Sequence, residues 1–196
     1  MDNKKEYKDG KKNALELLKK ACDMKKVDDE ILPILHLINA SCNYYTSSSC
    51  AGRIVVLEIP QIGDKKGAVF LGKWHRTIKP DVIKSAAEKA NRGLLWLLAQ
   101  SPILHIVSDT LENADIMVKA AIACGFKNSG FKSLGKKIVI EICSTERLDA
   151  PIGKDGKLFC DGDYLHLLTE IANTVFEKSQ EKLLRFEKKL RVLKYL

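Results

Sequence analysis

The sequence lacks the features that would place this protein in a membrane or mark a common nucleotide-binding fold. Its longest apolar run, "GLLWLLA", is too short to span a bilayer. The opening "MDNKKEYKDGKKN" has no apolar stretch of the kind that a signal peptide needs. There is no Walker loop, and no G-x-G-x-x-G follows a predicted strand. We therefore expect a cytoplasmic protein with no membrane segment and no standard phosphate-binding loop.

Cysteine is present, but not at spacings typical of a metal or redox site. The six cysteines include no C-x-x-C pair, and none has a histidine at zinc-finger spacing. We expect most of them to be buried thiols in a reducing compartment, and we expect no metal.

Composition and charge indicate a globular protein with a basic surface. The 196 residues are 45% hydrophobic and 30% charged, which suits a single domain spanning residues 1–196. The net charge is +8, from 33 basic and 25 acidic residues. An excess of this size favours a polyanionic partner such as nucleic acid. A lysine- and glutamate-rich surface, as in proteins of heat-loving organisms, is the alternative explanation.

Hydrophobic periodicity and turn signals predict an alternation of helices and strands. Helices are predicted in "NALELLKKACDMKK", in "DDEILPILHLINAS", over residues 80–99, and in "DTLENADIMVKAAIACG", where Asp109 or Thr110 caps the start and Gly125 ends the helix. Strands are predicted in "RIVVLEI", "GAVFLGKW", "SPILHIVS" and "KKIVIEIC", with one or two short ones in "RLDAPIG" and "KLFC". The pattern indicates an α/β protein with a mixed β-sheet flanked by helices.

The segment from residue 163 to residue 196 predicts a long C-terminal helix. Apolar residues recur there at spacings of three and four, and a helix of this length would extend roughly 50 Å. From Glu177 onward it carries three glutamates against seven cations: Lys178, Lys182, Arg185, Lys188, Lys189, Arg191 and Lys194. Such a run is either a solvated helix face or an arm that contacts phosphates.

The segment "TSSSCAGR", residues 46–53, combines hydroxyls, a thiol, a glycine and one guanidinium. Serine-rich segments often form loops whose side chains bond to their own backbone. In a functional interpretation, Ser47–Cys50 form a polar surface, and Gly52 lets a ligand approach the backbone. Arg53 then acts as a two-pronged donor to a carboxylate or phosphate. We read "NYYTSSSCAG" as a polar connection between elements.

Three other short segments carry candidate site residues. Trp74 and His75 follow a predicted strand, where they form either a stacking and titratable pair or a packed tryptophan beside a surface histidine. His105 alternates with apolar residues in its strand, so it is either a core histidine or a site histidine. The loop "GFKNSGF", residues 125–131, is either a helix cap with a turn or a ligand-contacting loop.

The order of these motifs resembles one known family. "YTSSSCAGRI", "GKWH", "ILHIVSDTLENADIMVKAAIACGFKNSGF" and "ERLDAPIGKDGKL" together are similar to the tRNA wybutosine-synthesizing protein 3 family. The resemblance covers most of the chain, and the serine-cysteine-glycine-arginine segment is its most specific part. It implies an S-adenosylmethionine-dependent methyltransferase with a fold other than the Rossmann methyltransferase fold. It also implies methylation at N4 of the tricyclic wyosine-type guanosine derivative at position 37 of tRNA(Phe), next to the anticodon.

The resemblance implies roles for residues of these motifs. Arg53 would clamp a carboxylate of the donor or substrate, Trp74 would stack on the tricycle, and His75 or His105 would accept the N4 proton. The predicted catalytic residues are Arg53, His75 and Ser49. The predicted contacts to S-adenosylmethionine or substrate are Ser47, Ser48, Cys50, Gly52, Trp74, His105, Asn128, Ser129 and Gly130.

Two alternatives from other classes remain open at this stage. One is a non-catalytic RNA-binding protein that uses the basic C-terminal helix. The other is an interaction module in which that helix forms a homo-oligomer or docks on a partner. Binding of S-adenosylmethionine in the absence of RNA distinguishes the enzyme from both.

Overall fold

The structure, a computed structural model, describes residues 2–193. The helices are α1 (Asp2–Asp23), α2 (Leu32–Ala40), α3 (Pro80–Ala87), α4 (Leu111–Ala123) and α5 (Gly162–Leu193), and a 3-10 turn (Asp29–Ile31) precedes α2. The strands are β1 (Tyr44–Cys50), β2 (Arg53–Ile59), β3 (Val69–Trp74), β4 (Leu94–Gln100), β5 (Ile103–Ser108), β6 (Gly130–Leu134), β7 (Ile138–Cys143), β8 (Leu148–Lys154) and β9 (Lys157–Leu158). The chain forms two compact units. The first comprises the chain up to Ala51, Pro102–Thr145 and the chain from Gln180 onward, and the second comprises Gly52–Ser101 and Glu146–Ser179.

The first unit contains a four-stranded sheet in the order β1-β5-β7-β6, and every pair is antiparallel. Because side chains alternate along a strand, Leu104 and Ile106 of β5 and Ile140 and Ile142 of β7 share one face. All four are fully buried against residues of α2, α4 and the end of α5. Each contributes about 1.5–3 kcal/mol by leaving water. The opposite face carries His105 of β5 and Glu141 of β7.

The second unit contains a five-stranded sheet in the order β3-β2-β4-β8-β9, again antiparallel. Ile54 and Val56 of β2 and Leu95 and Leu97 of β4 are buried in its core. Helix α3 and the first part of α5 supply further buried apolar side chains to this core. The two sheets are therefore stabilised by separate apolar clusters.

The α/β class and the long C-terminal helix are confirmed, and the fold contains none of the parallel strand pairs of a Rossmann sheet among residues 2–193. The strands form two antiparallel sheets in place of one mixed sheet. Antiparallel pairing suits this sequence, since the β2–β3 and β6–β7 connections are short and a parallel pair needs a long crossover.

The predicted helix over residues 80–99 is wrong in its second half. Helix α3 ends at Ala87, and "LLWLLAQ" forms β4, at the centre of its sheet. The buried carboxylate of Glu58 accepts the backbone N–H groups of Asn91 and Arg92 at 2.7 and 2.6 Å. Gly93 then adopts a φ of +86°, a conformation that ends a helix and favours glycine.

Two polar segments predicted as connections are strands. "YYTSSSC" forms β1 at an edge of the first sheet, and residues 130–134 form β6 at the opposite edge. Composition alone indicates loops in both places, but pairing with β5 and β7 satisfies their backbone groups. The hydroxyls of β1 therefore project from a strand.

The first helix begins much earlier than the sequence predicts, at Asp2. The Lys11 ammonium donates to the carbonyl oxygens of Ser41 and Tyr44, and the Tyr7 ring lies 5.3 Å from the Tyr45 ring. These tertiary contacts hold a charged segment that would fray in isolation.

Several predicted elements are confirmed. β2 and β3 form the expected antiparallel hairpin, and β5, β7, β8 and β9 lie where strands are predicted. The Thr110 side chain caps α4 by accepting the N–H of Asn113 at 3.1 Å. Gly125 follows α4 with a φ of +101°.

Helix α5 is polar on one face and apolar on the other. Leu183, Phe186 and Leu190 are buried in the first unit, where the Phe186 ring meets Phe126 edge-on at 5.7 Å. Lys182 is also buried, and its ammonium donates to the Ser144 hydroxyl at 2.7 Å. Lys194, the last of the predicted cations, lies outside the described residues.

Among residues 2–193, no helix is long and apolar enough to cross a membrane. The six cysteines are free thiols. Burial raises the pKa of the Cys124 and Cys160 thiols above the ordinary cysteine value, which favours their protonated form.

Candidate functional site

Three polar side chains form a row across the exposed face of the first sheet. The register pairs Ser48 of β1 with His105 of β5, and His105 with Glu141 of β7. Residues paired directly across antiparallel strands lie on the same face at short distance. The sheet therefore brings together three residues that are separated by 36 or more positions in the chain.

Hydrogen bonds connect this row end to end. Ser48 Oγ lies 2.7 Å from His105 Nδ1, and His105 Nε2 lies 2.7 Å from Glu141 Oε2. The side chains of His105 and Glu141 are 28% and 26% exposed, so solvent reaches both. The bond to His105, with support from Lys132 of β6 at 3.1 Å, holds the pKa of the Glu141 carboxyl below its usual value. Glu141 is therefore a carboxylate at neutral pH.

The hydrogen-bond directions in this row follow from the chemistry of its members. An ionised carboxylate only accepts hydrogen bonds, so the proton of a neutral His105 ring lies on Nε2. The lone pair then lies on Nδ1, and Ser48 Oγ–H donates to it. A serine, a histidine and a carboxylate linked in this way form a proton relay that can remove a proton from a ligand at the Ser48 end.

A β-bulge in β1 arranges its hydroxyls. The register shifts between Thr46 and Ser48, so Ser47 is the additional residue. The Asn39 side chain accepts the N–H of Thr46 at 2.8 Å and donates to the Thr46 hydroxyl at 2.9 Å. Ser47 Oγ donates to the carbonyl oxygen of His105 at 3.3 Å. Ser47 and Ser48 are both exposed, which agrees with the predicted polar surface.

A groove of about 570 Å³ lies between α1 and this face of the sheet, and we call it the α1 groove. Its lining includes Tyr45, Thr46, Ser47, Ser48 and Ser49. Further lining comes from apolar residues of α1 and β5 and from two lysines, among them Leu17, Val107, Lys26 and Lys137. Its volume lies within the range of small-molecule sites.

Tyr45 is only 2% exposed, yet its hydroxyl has no hydrogen-bond partner among the residues that the structure describes. Leaving such a group unsatisfied costs about 1–3 kcal/mol. A Cβ atom added to Gly10 would lie 2.7 Å from this hydroxyl oxygen, and Gly10 also lines the groove. The neighbouring Tyr44 hydroxyl, by contrast, donates to the Asn113 carbonyl at 2.8 Å.

The second unit positions Gly52 and Arg53 at the start of β2. Gly52 has a φ of +89°, which explains the glycine there. Arg53 Nε donates to Gln100 Oε1 at 2.8 Å, and its guanidinium carbon lies 5.4 Å from the centroid of the Phe70 ring. These contacts fix the plane of the guanidinium but use only Nε. The two Nη groups make no hydrogen bond to any described residue, so they can receive a carboxylate or phosphate.

Trp74 and His75 lie at the end of β3, also in the second unit. A Cβ on Gly72 would lie 2.1 Å from the far edge of the Trp74 ring, so the indole packs directly over that glycine. Trp74 is partly buried against the apolar cluster of this unit. His75 follows the strand and is half-buried. A stacking role for Trp74 on a ligand would therefore use only the exposed part of its ring.

The loop of Asn128, Ser129 and Gly130 belongs to the first unit. Ser129 Oγ donates to the Phe126 carbonyl at 2.7 Å and accepts the N–H of Cys143 at 3.1 Å. Asn128 is exposed, and Gly130 has open space beside it and pairs with Glu141. Ser129 thus stabilises the turn into β6, whereas Asn128 and Gly130 remain open to a ligand.

No cluster of three or more His, Cys, Asp or Glu side chains capable of holding a metal ion occurs in the described part of the chain.

Sequence analysis missed Glu141, Tyr45 and Lys132. Glu141 is the one charged residue within the otherwise apolar run "IVIEIC", and a charge in such a strand needs a partner. The sequence therefore indicated that Glu141 has a partner, but it did not identify His105 as that partner, because strand register cannot be read from the sequence.

Comparison with known proteins gives one consistent family. The family model described as Methyltransferase TYW3 matches residues 9–192. A protein of Pyrococcus horikoshii named tRNA(Phe) 7-((3-amino-3-carboxypropyl)-4-demethylwyosine(37)-N(4))-methyltransferase 1 is 46% identical over 184 residues, covering 93% of this chain and 94% of that protein. A protein of Thermococcus sibiricus with the same name, without the final numeral, is 44% identical over 185 residues, covering 94% of each chain.

Solved structures agree with these relatives. The PH1069 protein from Pyrococcus horikoshii superposes with a TM-score of 0.92 at 44% identity, covering 97% of this chain and 98% of that one. A hypothetical protein from Aeropyrum pernix gives a TM-score of 0.73 at 28% identity, covering 85% of this chain and 98% of that one.

Proposed function

Because the chain belongs to the family described as Methyltransferase TYW3, we propose that it methylates N4 of 7-(3-amino-3-carboxypropyl)-4-demethylwyosine at position 37 of tRNA(Phe). The observation that carries this proposal is the match over residues 9–192 to a methyltransferase family whose relatives carry that name. The geometry supports it, since methylation of an N–H needs a proton acceptor and the first unit holds a serine–histidine–glutamate relay.

The methyl donor in this proposal is S-adenosylmethionine, which supplies an electrophilic methyl group when bound. The residues present suit such a ligand, because its amino-acid carboxylate needs a cationic donor and its ribose needs polar partners. Arg53 offers two Nη groups on a guanidinium already fixed by Gln100 and Phe70. Gly52 is buried beside it, so the glycine serves the left-handed turn into β2 and is not assigned to the ligand. We assign the carboxylate of the donor or of the substrate side chain to Arg53.

Within the first unit, Ser47, Ser48, Ser49 and Cys50 are assigned to polar edges of the ligands. Asn128 and Gly130, at the turn into β6 on the opposite edge of the sheet, are also assigned to ligand contacts. We assign Ser129 a role in stabilising the turn, because its hydroxyl both donates to and accepts from backbone groups. His75 or His105 accepts the proton that N4 loses. Holding the reacting atoms in line supplies about 7–11 kcal/mol of the rate enhancement.

We assign the anticodon stem-loop of tRNA to basic surfaces of the first unit. Lys182 and Arg185 of α5 bond to Ser144 Oγ and to the Cys124 carbonyl. Part of the α5 charge therefore stabilises the fold. The β6–β7 segment adds lysines on a largely exposed hairpin, and its Phe131 ring is 46% exposed and available to stack on a base. These lysines are Lys132, Lys136 and Lys137, and Lys127 lies in the turn before β6. A tRNA substrate also supports a cytoplasmic location, which is part of this proposal.

The test is a methyl-transfer assay with labelled S-adenosylmethionine and tRNA from a strain that lacks this protein. Digestion to nucleosides and mass analysis locate the label. We expect one methyl group on the tricyclic base at position 37, and none on tRNA from the parent strain, in which that position is already methylated. Binding of tRNA without any transfer or donor binding would overturn the proposal in favour of a non-catalytic RNA-binding protein.

A further inference from the structure

We propose that the α1 groove holds the base that is methylated, and that Ser48, His105 and Glu141 carry away the proton which that base loses. This inference rests on the proposed function and deepens it. It assigns the acceptor to a pocket within the first unit, and it chooses His105 over His75 as the proton acceptor.

The first argument is that the groove and the relay share a residue. Ser48 lines the groove, and its hydroxyl is the outer end of the relay through His105 to Glu141. Ser48 Oγ–H donates to His105 Nδ1, so the lone pairs of that oxygen are free to accept a proton from a ligand in the groove. Glu141 touches no ligand in this arrangement. It is a positioning residue that fixes the tautomer and orientation of His105.

The second argument concerns which of the two ligands the relay serves. The methyl donor loses no proton in the reaction, whereas the acceptor nitrogen exchanges its N–H for N–CH3. A pocket bordered by a proton acceptor therefore fits the acceptor base. A proton acceptor has no chemical role next to the methyl donor.

The step balances in atoms and charge. The N4 lone pair forms the new N–C bond as the S–CH3 bond breaks, and the electron pair of that bond stays on sulfur. The N4 proton passes to Ser48 Oγ while the hydroxyl proton passes to His105 Nδ1. The positive charge that leaves the sulfonium thus appears on the imidazolium, where the Glu141 carboxylate stabilises it at 2.7 Å.

The third argument is the unsatisfied hydroxyl of Tyr45. It is buried beside Gly10, which also lines the groove, and it has no partner among the described residues. A shift of that wall would let a ring nitrogen or carbonyl of a tricyclic guanosine derivative accept its hydrogen bond. The apolar side of the groove, with Leu17 and Val107, suits the faces of a flat heterocycle.

The fourth argument is charge. Two ammonium groups, those of Lys26 and Lys137, line the same groove. The substrate named for the relatives carries an amino-carboxypropyl side chain, and any nucleotide in RNA carries phosphates. The carboxylate of that side chain and the phosphates are anionic groups that these lysines can bind at the groove.

Two tyrosines that follow one another in the sequence give a matched test of the pocket. Tyr45→Phe removes a hydroxyl without a partner, so we expect an unchanged or higher Tm and a KM for demethylated tRNA raised at least about fivefold. Tyr44→Phe removes a hydroxyl bonded to Asn113, so we expect a lower Tm and an unchanged KM. The affinity for S-adenosylmethionine, measured by calorimetry without RNA, should be unchanged in both variants. Weaker donor binding in Tyr45→Phe with an unchanged KM for tRNA would overturn the assignment.

Three variants test the relay, with kcat measured at saturating tRNA and donor. We expect Ser48→Ala and His105→Gln to lower kcat by about 10²–10⁴-fold. Glu141→Gln should lower kcat with little change in KM, and it should move the acid limb of the kcat profile to lower pH. The charged groups facing this carboxylate are His105 from β5 and Lys132 from β6.

The outcomes separate this inference from the proposed function. If the wild-type protein methylates position 37 but Ser48→Ala and Glu141→Gln retain kcat within about threefold, the relay is wrong and the function stands. If the wild-type protein transfers no methyl group, the function itself fails. Ser48 is exposed, so its variant remains informative even if His105→Gln does not fold.

Discussion

Replacing Arg53 with alanine should reduce methyl transfer far more than it reduces stability. Arg53→Ala removes one hydrogen bond to Gln100 and one contact with the Phe70 ring. A neutral-acceptor bond contributes about 1 kcal/mol and an exposed cation–π contact about 0.5–1 kcal/mol. The expected loss is therefore about 1–2 kcal/mol, or roughly 2–8 °C in Tm for a chain of this size. These contacts therefore predict a small but measurable loss of stability.

The effect on turnover should be larger, because the Nη groups would face a ligand carboxylate. Losing a charge-assisted bidentate bond costs about 1.5–3 kcal/mol or more, so kcat/KM should fall at least tenfold to a hundredfold. Arg53→Lys keeps the positive charge but loses the bidentate geometry of the guanidinium, so it should retain only part of the activity. Gln100→Ala is the stability control, since it removes the same bond to Arg53 Nε but keeps the guanidinium. The reasoning is refuted if Arg53→Ala and Gln100→Ala lose equal stability and retain equal kcat/KM.

Two further predictions concern stability alone. Gly93→Ala places a Cβ 2.3 Å from a backbone oxygen at a φ of +86° and should destabilise the protein by at least about 1–3 kcal/mol, whereas Gly162→Ala, with open space beside it, should change Tm little. Equal Tm values for these two variants would contradict the structure. The lowered pKa of Glu141 means that its contacts stabilise the fold above the ordinary glutamate pKa of about 4.3, and that this stabilisation is lost as the pH falls through the lower folded-state pKa. Wild type should therefore have a higher Tm than Glu141→Gln at pH 7, and this difference should disappear below about pH 4. A difference that grows on acidification would contradict this account.

Local signals in the sequence identified the elements whose pattern is self-contained. The β2–β3 hairpin alternates and turns as expected, and α4 carries both its cap at Thr110 and its terminating Gly125. β4 could not be predicted this way, because "LLWLLA" is apolar on both faces of the strand, so its sequence shows no period of two and resembles a helix. The contact that decides the matter, from Glu58 to the loop before Gly93, joins residues far apart in the sequence.

The candidate site was likewise predictable from the sequence only in part. Ser48 and His105 were recognised singly from their motifs, but only the register of β1, β5 and β7 brings them to one another and to Glu141. Tyr45 looked like part of a polar connection, and its burial depends on α1 packing over the sheet. Residue types and motifs were thus readable from the chain, whereas tertiary hydrogen bonds and the groove required the fold.

The central claim is tested most directly by identifying the nucleoside that the protein modifies. Purified protein, S-adenosylmethionine and tRNA(Phe) bearing the 4-demethyl base are incubated together. The tRNA is then digested, and the nucleosides are separated and analysed by mass spectrometry. The account predicts that the tricyclic nucleoside at position 37 gains a single methyl group, placed on N4 by fragmentation. A methyl group on any other nucleoside, or none with a folded protein that binds the tRNA, would contradict it.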